Sequence, residues 1–272
     1  MQSKLHYLGI PIRKEEIESL EEYLQRILTY VKKEPDYDLY VLPEYTWGSE
    51  PIDDQELENW LDVWEYDSMI ILGTALVIRE GATYNTILAY DRVGGLRRIA
   101  KKYPVLYEQE HRGVVIPTSI PEGYTGNVIE FGEIKIGLGA CSDMWQSGFI
   151  KEMVEEEADV IVISSMTVTQ PDLRKYAQVQ WYSLAVVRSR EFVVPVIIVD
   201  SMYEDNEKIT GRVTCGVDPS LKHSDLQEIS DFLVFPREDG LLSGIFDFKE
   251  IDEYRNYRDE QGLRFIQRNR QE

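Results

Sequence analysis

Cys141 is the residue of this chain best placed to act as a nucleophile. An alternating apolar run, Ile134–Ala140, ends on small residues immediately before Cys141-Ser142-Asp143. This pattern predicts a strand that stops at the thiol and turns into a helical segment. Backbone N–H groups and the positive end of a helix dipole favour the thiolate, the reactive form, and the Ser142 N–H can stabilise an oxyanion. The ordinary alternative is a buried, inert cysteine.

A carboxylate and two lysines also lie at predicted strand ends. Glu44 follows the apolar segment Val41–Pro43, where poor solvation would raise the pKa of a carboxylate and make it a better base for a thiol. Lys101 and Lys102 follow the predicted strand Leu96–Ala100, and an inward ammonium would favour a thiolate and stabilise an oxyanion. Each residue has an equally simple interpretation as a solvated loop charge.

The elements that must position these residues alternate between strands and helices. Apolar alternation predicts strands at Leu5–Ile10, Asp38–Leu42, Ser68–Ile78, Tyr84–Asp91, Asp159–Ser164 and Val193–Val199, with hairpin-like strands at Ile209–Val217 and Asp231–Asp247. Helical spacing predicts helices at Lys14–Lys33, Asp53–Trp64, Gly148–Glu157, Leu173–Arg190 and Ile251–Arg258. The stretch from Tyr103 to Thr125 is predicted to be irregular, a length typical of functional loops. The sequence therefore predicts an α/β fold.

Composition limits the possible partners. The 29 Lys and Arg residues against 49 Asp and Glu residues give a net charge of −20, which disfavours nucleic acid and anionic membrane surfaces. No apolar stretch has the length of a signal peptide or a membrane span. Two distant cysteines predict neither a disulfide framework nor a Cys-x-x-Cys metal site. We expect a cytoplasmic protein with one domain over residues 1–272 and no metal.

Three short motifs occur in a fixed order along the chain. They are Leu42-Pro43-Glu44-Tyr45, Arg98-Ile99-Ala100-Lys101-Lys102 and Gly137-Leu138-Gly139-Ala140-Cys141-Ser142-Asp143. In these motifs, and in the later Asp218-Pro219 and Gly244–Asp247 segments, the chain resembles the carbon–nitrogen hydrolase, or nitrilase, superfamily. The resemblance extends over nearly the whole chain.

The resemblance implies a four-layer α-β-β-α sandwich of two mixed sheets packed face to face, with helices outside. It also implies a Glu-Lys-Cys triad in which Cys141 attacks an amide carbonyl while Glu44 carries the proton. Lys102 and the Ser142 N–H then hold the oxyanion, and water hydrolyses the thioester without any cofactor. We expect a small-molecule amide or carbamoyl amide as substrate.

Some assignments within the resemblance remain open. We favour Lys102 over Lys101 because Lys102 places Glu110 eight residues later, where family members often carry a second glutamate; the choice of Lys101 would place Gln109 there. Further candidates for substrate contact are Ser142, Trp145 and Met166. Ser142 occupies a position where nitrile-hydrolysing members typically carry tryptophan, which favours amides. His111 and Arg112 either meet an anionic substrate group or lie on an ordinary surface.

Alternatives outside amide hydrolysis are nitrile hydrolysis, acyl transfer, a catalytically silent binding module and a redox-sensing thiol. Residues 254–272 form a predicted C-terminal arm that contains five arginines, Arg255, Arg258, Arg264, Arg268 and Arg270. This basic arm in an acidic molecule suggests a subunit interface. Family members commonly form dimers, so we expect a homodimer or a larger even-numbered assembly.

Overall fold

Two six-stranded mixed sheets form the centre of the molecule. The computed structural model describes residues 3–263 except 16–17, 49, 53–56, 59–60, 62–63, 203, 205–207 and 221–227. In spatial order, the first sheet contains β14 (Leu242–Asp247), β1 (Lys4–Gly9), β2 (Leu39–Val41), β3 (Met69–Arg79), β4 (Ala82–Asp91) and β5 (Gly95–Ala100). The second contains β13 (Leu233–Val234), β12 (Cys215–Val217), β10 (Val196–Asp200), β8 (Val160–Ser165), β7 (Ile134–Ala140) and β6 (Val128–Phe131).

The strand directions place the carboxyl ends of several strands at one edge of each sheet. Strands β1, β2 and β3 are parallel in the first sheet, and β7, β8 and β10 are parallel in the second. The remaining pairs within these two sheets are antiparallel. A small third sheet joins β9 (Val168–Thr169) to β11 (Ile209–Thr210). Ligand sites in α/β proteins commonly lie beyond the carboxyl ends of parallel strands.

Alternating burial divides the apolar side chains into three layers. Inward residues of both sheets, such as Val41 and Leu138, form the central core. The outer face of the first sheet packs on helix α1 (Leu20–Lys33). The outer face of the second packs on helices α3 (Ser147–Glu155) and α4 (Arg174–Phe192). The predicted four-layer α-β-β-α sandwich is therefore confirmed.

Several predicted boundaries differ from the structure. Helix α1 begins at Leu20 rather than Lys14, because Ser19 and Glu22 form a reciprocal capping box that fixes the helix start. The predicted hairpin at 231–247 is instead β13 and β14, which belong to different sheets. The predicted helix at 53–64 falls largely outside the described residues. A helix that the sequence did not predict, α2 (Leu106–Arg112), lies in the segment expected to be irregular.

The C-terminal helix α5 (Phe248–Glu260) contains the first part of the predicted arm. Arg255 Nε donates to the Val193 carbonyl at 2.9 Å, and Arg258 Nη1 donates to the Arg190 carbonyl at 3.2 Å. These two arginines thus bind the C-terminal end of α4 in the same chain. Arg264, Arg268 and Arg270 lie outside the described residues. No helix in the described part of the chain has the length and apolar character needed to cross a membrane.

Candidate active site

Glu44 lies in a tight turn that follows β2 and packs on a bulge of β3. The pairing of β3 with β4 shifts between Ile71 and Thr74, and Gly73, with φ of +71°, occupies the shift. A Cβ atom at Gly73 would lie 2.0 Å from the Pro43 carbonyl oxygen, so only glycine lets the two segments approach this closely. The bulge thereby fixes the path of the chain into Glu44.

Hydrogen bonds also join the Glu44 turn to the second sheet. The Glu44 N–H donates to the Ser165 carbonyl at 3.2 Å, and Ser164 Oγ donates to the Leu42 carbonyl at 2.8 Å. Both serines end β8, which lies next to the strand that leads to Cys141. The two sheets are therefore bonded to each other at the carboxyl ends of their strands.

Lys101 joins two carboxylates in a buried cluster. Its Nζ lies 2.7 Å from Glu44 Oε1 and 2.8 Å from Glu108 Oε2. Asn85 Nδ2 donates to the same two carboxylates, at 3.0 Å to Glu44 and 2.6 Å to Glu108, and Tyr45 Oη donates to Glu108 at 2.6 Å. All five side chains are buried. Charged groups are tolerated at such burial only when paired and hydrogen-bonded, as these are.

Cys141 begins a 3₁₀ turn, Cys141–Trp145, directly after β7. Its φ of 42° is unusual for a residue other than glycine. Asp143 supports this turn, because its carboxylate accepts the Ala140 N–H at 3.0 Å and the Tyr103 N–H at 2.7 Å. Cys141 Sγ lies 3.9 Å from the Met166 carbonyl oxygen, just beyond β8. The turn therefore holds the thiol between the ends of β7 and β8.

The charges of the cluster act on the thiol and on each other. Burial raises the pKa of the Cys141 thiol, the Glu44 carboxylate raises it further, and Lys101 opposes both. Burial raises the pKa of Glu44 to about 7, with Lys101 opposing and Glu108 adding to the rise. Burial also disfavours the Lys101 cation, but the surrounding anions outweigh it and raise the pKa of Lys101. The arrangement therefore favours a neutral thiol in the field of a carboxylate with a raised pKa, rather than the thiolate expected from the sequence.

The residues of this site lie within a segment that matches a known protein family. The model of the carbon-nitrogen hydrolase family matches residues 8–224, a range that includes Glu44, Lys101, Glu108 and Cys141. The chain belongs to this family. Its membership confirms the resemblance that the three sequence motifs carry. The search of curated proteins finds no match for this carbon-nitrogen hydrolase.

Solved structures of the nitrilase superfamily share the fold at low sequence identity. The Saccharomyces cerevisiae protein Nit3, of branch 10 of the superfamily, has a TM-score of 0.72 at 17% identity over 99% of this chain and 97% of its own. A carbon-nitrogen hydrolase from Helicobacter pylori G27 has a TM-score of 0.71 at 13% identity, with 96% and 95% covered. A mutant amidase from Nesterenkonia sp. AN1, solved with butyramide, has a TM-score of 0.68 at 10% identity, with 94% and 96% covered.

In this carbon-nitrogen hydrolase the structure does not bring Lys102 into the buried cluster. The Lys102 side chain forms an ion pair with Glu152 at the surface. Successive side chains at the end of an extended strand point in opposite directions, so only one of two adjacent lysines can face the site. The backbone bond from the Lys101 N–H to the Asn85 carbonyl, 2.8 Å, aligns Lys101 with β4. The sequence-based preference for Lys102 is thus corrected to Lys101.

Glu110 is likewise replaced in the cluster by Glu108. Both residues lie on α2, but Glu110 is exposed and Glu108 is buried. Residues two apart on a helix lie on nearly opposite faces, so only one of these glutamates can meet Lys101. The spacing from the lysine is seven residues, and the eight-residue spacing used on the sequence would have selected Gln109. The helix that selects Glu108 has only seven residues, so its periodicity is too short to identify this glutamate from the sequence.

The remaining predicted contacts occupy different positions around the thiol. Ser142 is half-buried, and its Oγ donates to the Tyr103 carbonyl. Met166 is half-buried and follows β8 beside the thiol. Trp145 is 45% exposed and packs edge-to-face on Trp181 with 5.8 Å between ring centroids. Ser142 and Met166 therefore lie close to Cys141, whereas Trp145 lies on the α4 side of the turn.

Asn85 and Tyr45 are two further cluster residues, besides Glu108, whose role sequence reasoning missed. Tyr45 ends the Leu42-Pro43-Glu44-Tyr45 motif and Asn85 lies in β4, yet neither is a charged residue that would attract a mechanistic assignment. Their hydrogen bonds fix the carboxylates beside Lys101. Across the described part of the chain, no group of three or more His, Cys, Asp or Glu side chains has the arrangement of a metal site.

Proposed function

We propose that this carbon-nitrogen hydrolase cleaves small linear amides or carbamoyl amides through a thioester on Cys141. The observation that carries the proposal is the buried Lys101 held between Glu44 and Glu108, with charges that act on the neighbouring thiol. Burying one cation with two carboxylates costs stability. Buried ionisable groups that carry such a cost are often found at functional sites. A base, an oxyanion-stabilising cation and a nucleophile are the requirements of acyl transfer to a thiol.

In the first half of the proposed reaction, Glu44 takes the Sγ proton as Cys141 forms a bond to the amide carbonyl carbon. The carbonyl oxygen becomes an oxyanion, which the Lys101 ammonium and the Ser142 N–H stabilise. Glu44 then gives its proton to the leaving nitrogen, and the carbon–nitrogen bond breaks. Ammonia or an amine departs, and the acyl group remains on sulfur as a thioester.

In the second half, water attacks the thioester carbon while Glu44 takes one of its protons. Collapse of the second oxyanion breaks the carbon–sulfur bond. The sulfur recovers the proton from Glu44, and a carboxylic acid leaves. Glu108, Asn85 and Tyr45 act as positioning residues, because each hydrogen-bonds within the cluster that holds Glu44 and Lys101. Every step uses side chains and backbone groups of this chain together with water.

Two observations support amides over nitriles as substrates. The small, polar Ser142 follows the nucleophile, where nitrile-hydrolysing members typically carry tryptophan. A similarly folded protein is an amidase whose mutant was solved with butyramide.

Intact-protein mass spectrometry tests the proposal. Wild type is mixed with butyramide, an N-carbamoyl amine or butyronitrile, and the mixture is quenched in acid within milliseconds to seconds. The mass of the intact protein is then measured. We expect an acyl increment with the amide or carbamoyl amide and none in Cys141→Ala. Cys215→Ala is the matched control, because Cys215 is also a free thiol but lies buried in β12.

The outcomes of this experiment separate the alternatives. An increment in Cys141→Ala, or its loss in Cys215→Ala, contradicts the assigned nucleophile. A greater yield from butyronitrile favours nitrile hydrolysis, and an increment without release of free acid favours acyl transfer to another acceptor. If neither an increment nor a hydrolysis product forms with any of the three compounds, the amide proposal is wrong for these substrate classes and a binding module becomes the better interpretation.

The outer face of α4 supports a homodimer. Tyr176, Val179 and Val187 are all more than half exposed on this helix. Exposed apolar patches on the surface mark interaction sites. An identical chain is the proposed partner, with the two copies related by a two-fold axis.

The cysteines support a cytoplasmic location. Cys141 and Cys215 are both free, and the proposed mechanism needs Cys141 as a reduced thiol. Reducing compartments keep thiols in this state.

A further inference from the structure

Ser165 carries a buried hydroxyl beside Cys141 that the proposed mechanism does not use. It is the last residue of β8 and is fully buried. Among the described residues, its Oγ has no hydrogen-bond partner of regular geometry. A buried polar atom without a partner loses its hydration without compensation. Ser164, one residue earlier, avoids this loss, because its Oγ donates to the Leu42 carbonyl at 2.8 Å.

The alternation of β8 places Ser165 on the same face of the second sheet as Cys141. Ile163 packs in the apolar layer between this sheet and its helices, and Ser165 follows two residues later on the same face. Cys141 packs against that layer as well. Strand β7 runs beside β8 with Ala140 opposite Ser164. The residues that follow these two are therefore neighbours, which brings the hydroxyl next to the thiol.

Groups around the Cys141 sulfur act on the thiol in opposite directions. Burial and the Glu44 carboxylate raise its pKa. The Lys101 cation, the Ser165 hydroxyl and the Met166 backbone lower it. Sγ also lies 3.9 Å from the Met166 carbonyl oxygen, an acceptor that suits a neutral thiol. Because a hydroxyl hydrogen rotates to suit its partner, Ser165 can donate to the sulfur once the thiol has lost its proton.

The backbone of Ser165 is fixed before the thiol ionises. Its carbonyl accepts the Glu44 N–H at 3.2 Å and the Ser201 N–H at 3.1 Å. One residue therefore contacts the carboxylate segment through its backbone and the thiol through its side chain. A donor held in place in this way stabilises a developing charge without having to reorganise.

We propose that the Ser165 hydroxyl donates a hydrogen bond to the Cys141 sulfur and stabilises the thiolate that forms when Glu44 takes the Sγ proton. The part of this bond in catalysis rests on the proposed amide hydrolysis, whereas the bond itself does not. While the thiol keeps its proton, the hydroxyl is buried without a partner. When the thiol ionises, the hydroxyl gains a charged acceptor. Such an interaction accelerates a reaction because it is stronger after ionisation than before it.

Alkylation of the thiol tests this inference without any substrate. Iodoacetamide at a fixed pH is added to protein that carries Cys215→Ala, so that Cys141 is the only thiol, and intact mass gives the rate. Loss of a hydrogen bond to a charged group should lower the thiolate population about tenfold in Ser165→Ala. A more basic thiolate is also more nucleophilic, so the alkylation rate should fall about three- to fourfold. An unchanged rate would overturn the inference.

Ser201→Ala is the matched control. Ser201 Oγ is also buried and without a partner in the described part of the chain. It follows β10, which β8 separates from the strand that leads to Cys141. Its replacement should therefore leave the alkylation rate unchanged. An equal fall in Ser201→Ala and Ser165→Ala would mean that any change at these strand ends slows the thiol, which contradicts a specific bond.

A pair of variants with the same shape separates the hydroxyl from its volume. Ser165→Thr keeps a hydroxyl, whereas Ser165→Val replaces it with a methyl group. The Thr variant should be alkylated about three times faster than the Val variant. Equal rates in the two variants would show that packing rather than hydrogen bonding controls the thiol, and would overturn the inference.

Stability measurements distinguish the proposed bond from a structural role. Ser165→Ala removes a hydroxyl that has no partner in the resting protein, so the urea midpoint should stay the same or rise. Ser164→Ala leaves the Leu42 carbonyl without its donor, so its midpoint should fall. A fall in Ser165→Ala as large as that in Ser164→Ala would assign the hydroxyl to folding and contradict the inference.

Kinetics on butyramide separates failure of this inference from failure of the proposed function. If wild type hydrolyses this amide, kcat/KM should fall about tenfold in Ser165→Ala and should be higher in Ser165→Thr than in Ser165→Val. If the alkylation rate depends on the hydroxyl but wild type shows no hydrolysis, the hydrogen bond stands and the proposed function fails for this amide. If hydrolysis proceeds while neither rate depends on the hydroxyl, the inference fails and the proposed function stands.

Discussion

At the carboxyl ends of the first sheet, charged side chains fix one another's positions through ion pairs. At the carboxyl ends of the second sheet, the backbone conformation fixes the position of the thiol. Lys101, Glu44 and Glu108 are joined by direct bonds between side chains. Cys141 instead owes its place to an unusual φ and to the turn that Asp143 caps through two backbone N–H groups. The first sheet therefore supplies charge, and the second supplies a positioned thiol.

This difference predicts how the two halves respond to substitution. Removing a charge from the first group leaves its buried partners uncompensated, which affects the chemistry directly. Altering the second group mainly shifts atoms and leaves Glu44, Lys101 and Glu108 in place, so its effect should be smaller. Four experiments test this contrast.

The largest effect is expected from Lys101→Met. Loss of this cation removes the proposed oxyanion donor and leaves Glu44 and Glu108 facing each other, so kcat/KM should fall about 10³-fold. Lys102→Met is the matched control and should change kcat/KM by less than about threefold, because Lys102 pairs at the surface. Steady-state kinetics on butyramide measures both.

Lys101→Arg keeps the positive charge, so it tests the role of Lys101 even where Lys101→Met does not fold. Circular dichroism should show a folded variant with reduced activity. Equal losses in the two methionine variants would contradict the assignment of Lys101.

The backbone support of Cys141 should show a smaller effect. In Asp143→Asn, one of the two N–H groups of Ala140 and Tyr103 loses its acceptor, because an amide has a single oxygen. We expect kcat to fall about 10- to 100-fold, and the free energy of unfolding to fall by roughly 1–3 kcal/mol. Urea unfolding and kinetics measure the two quantities.

Asp159→Asn provides the comparison for this variant. Asp159 accepts the Lys135 N–H at 3.0 Å at the opposite end of β7. The Asp159→Asn variant should have a lower free energy of unfolding but an unchanged kcat. Loss of kcat in both variants would mean that general stability, rather than the Cys141 turn, controls the rate.

The pH profile tests the electrostatics of the first sheet. In the proposed mechanism Glu44 must be ionised to take the thiol proton, and burial raises its pKa to about 7. The kcat/KM for butyramide should therefore fall as pH decreases through 7 and be about tenfold below its plateau at pH 6. Glu108→Gln removes an anion that raises the pKa of Glu44, so the acidic limb should move to lower pH.

Glu110→Gln is the control on the same helix. Glu110 is exposed, and its replacement should leave the limb in place. A limb that does not respond to Glu108→Gln would assign the titration to a group other than Glu44.

The smallest effect on activity is expected at the outer helices, where the two halves also differ. Helix α1 exposes charged and polar residues, such as Glu21 and Lys32, whereas α4 exposes Tyr176, Val179 and Val187. Val179→Glu should convert a dimer to a monomer in light scattering and change kcat by less than about threefold. The control Gln25→Glu on α1 should remain a dimer. A wild-type monomer would contradict the proposed assembly.

Sequence alone located the strand ends better than it selected side chains. Glu44 and Cys141 were identifiable because each directly follows an apolar run that ends sharply. Lys101 and Lys102 are indistinguishable in such a pattern, because the choice depends on the register between β5 and β4. That register is set by tertiary pairing.

Glu108 was missed for a different reason. The prolines and glycines between Tyr103 and Thr125 indicate a loop, yet α2 forms between Pro104 and Gly113, which adopts the left-handed conformation that ends the helix. A seven-residue helix is too short to stand out by periodicity. Its position is stabilised instead by the buried bond between Glu108 and Lys101.

The hydrogen bonds between the Glu44 turn and the end of β8 have a consequence for folding. Glu44 and Ser165 are joined across the two sheets, so the spacing between Glu44 and Cys141 is established only after the two sheets have docked. A folding intermediate with one sheet formed would contain either the charges or the thiol, but not both in working geometry. Recovery of catalysis during refolding would therefore report the docking of the two sheets. Circular dichroism would not detect this event, because it reports the strands and helices that each half has already formed.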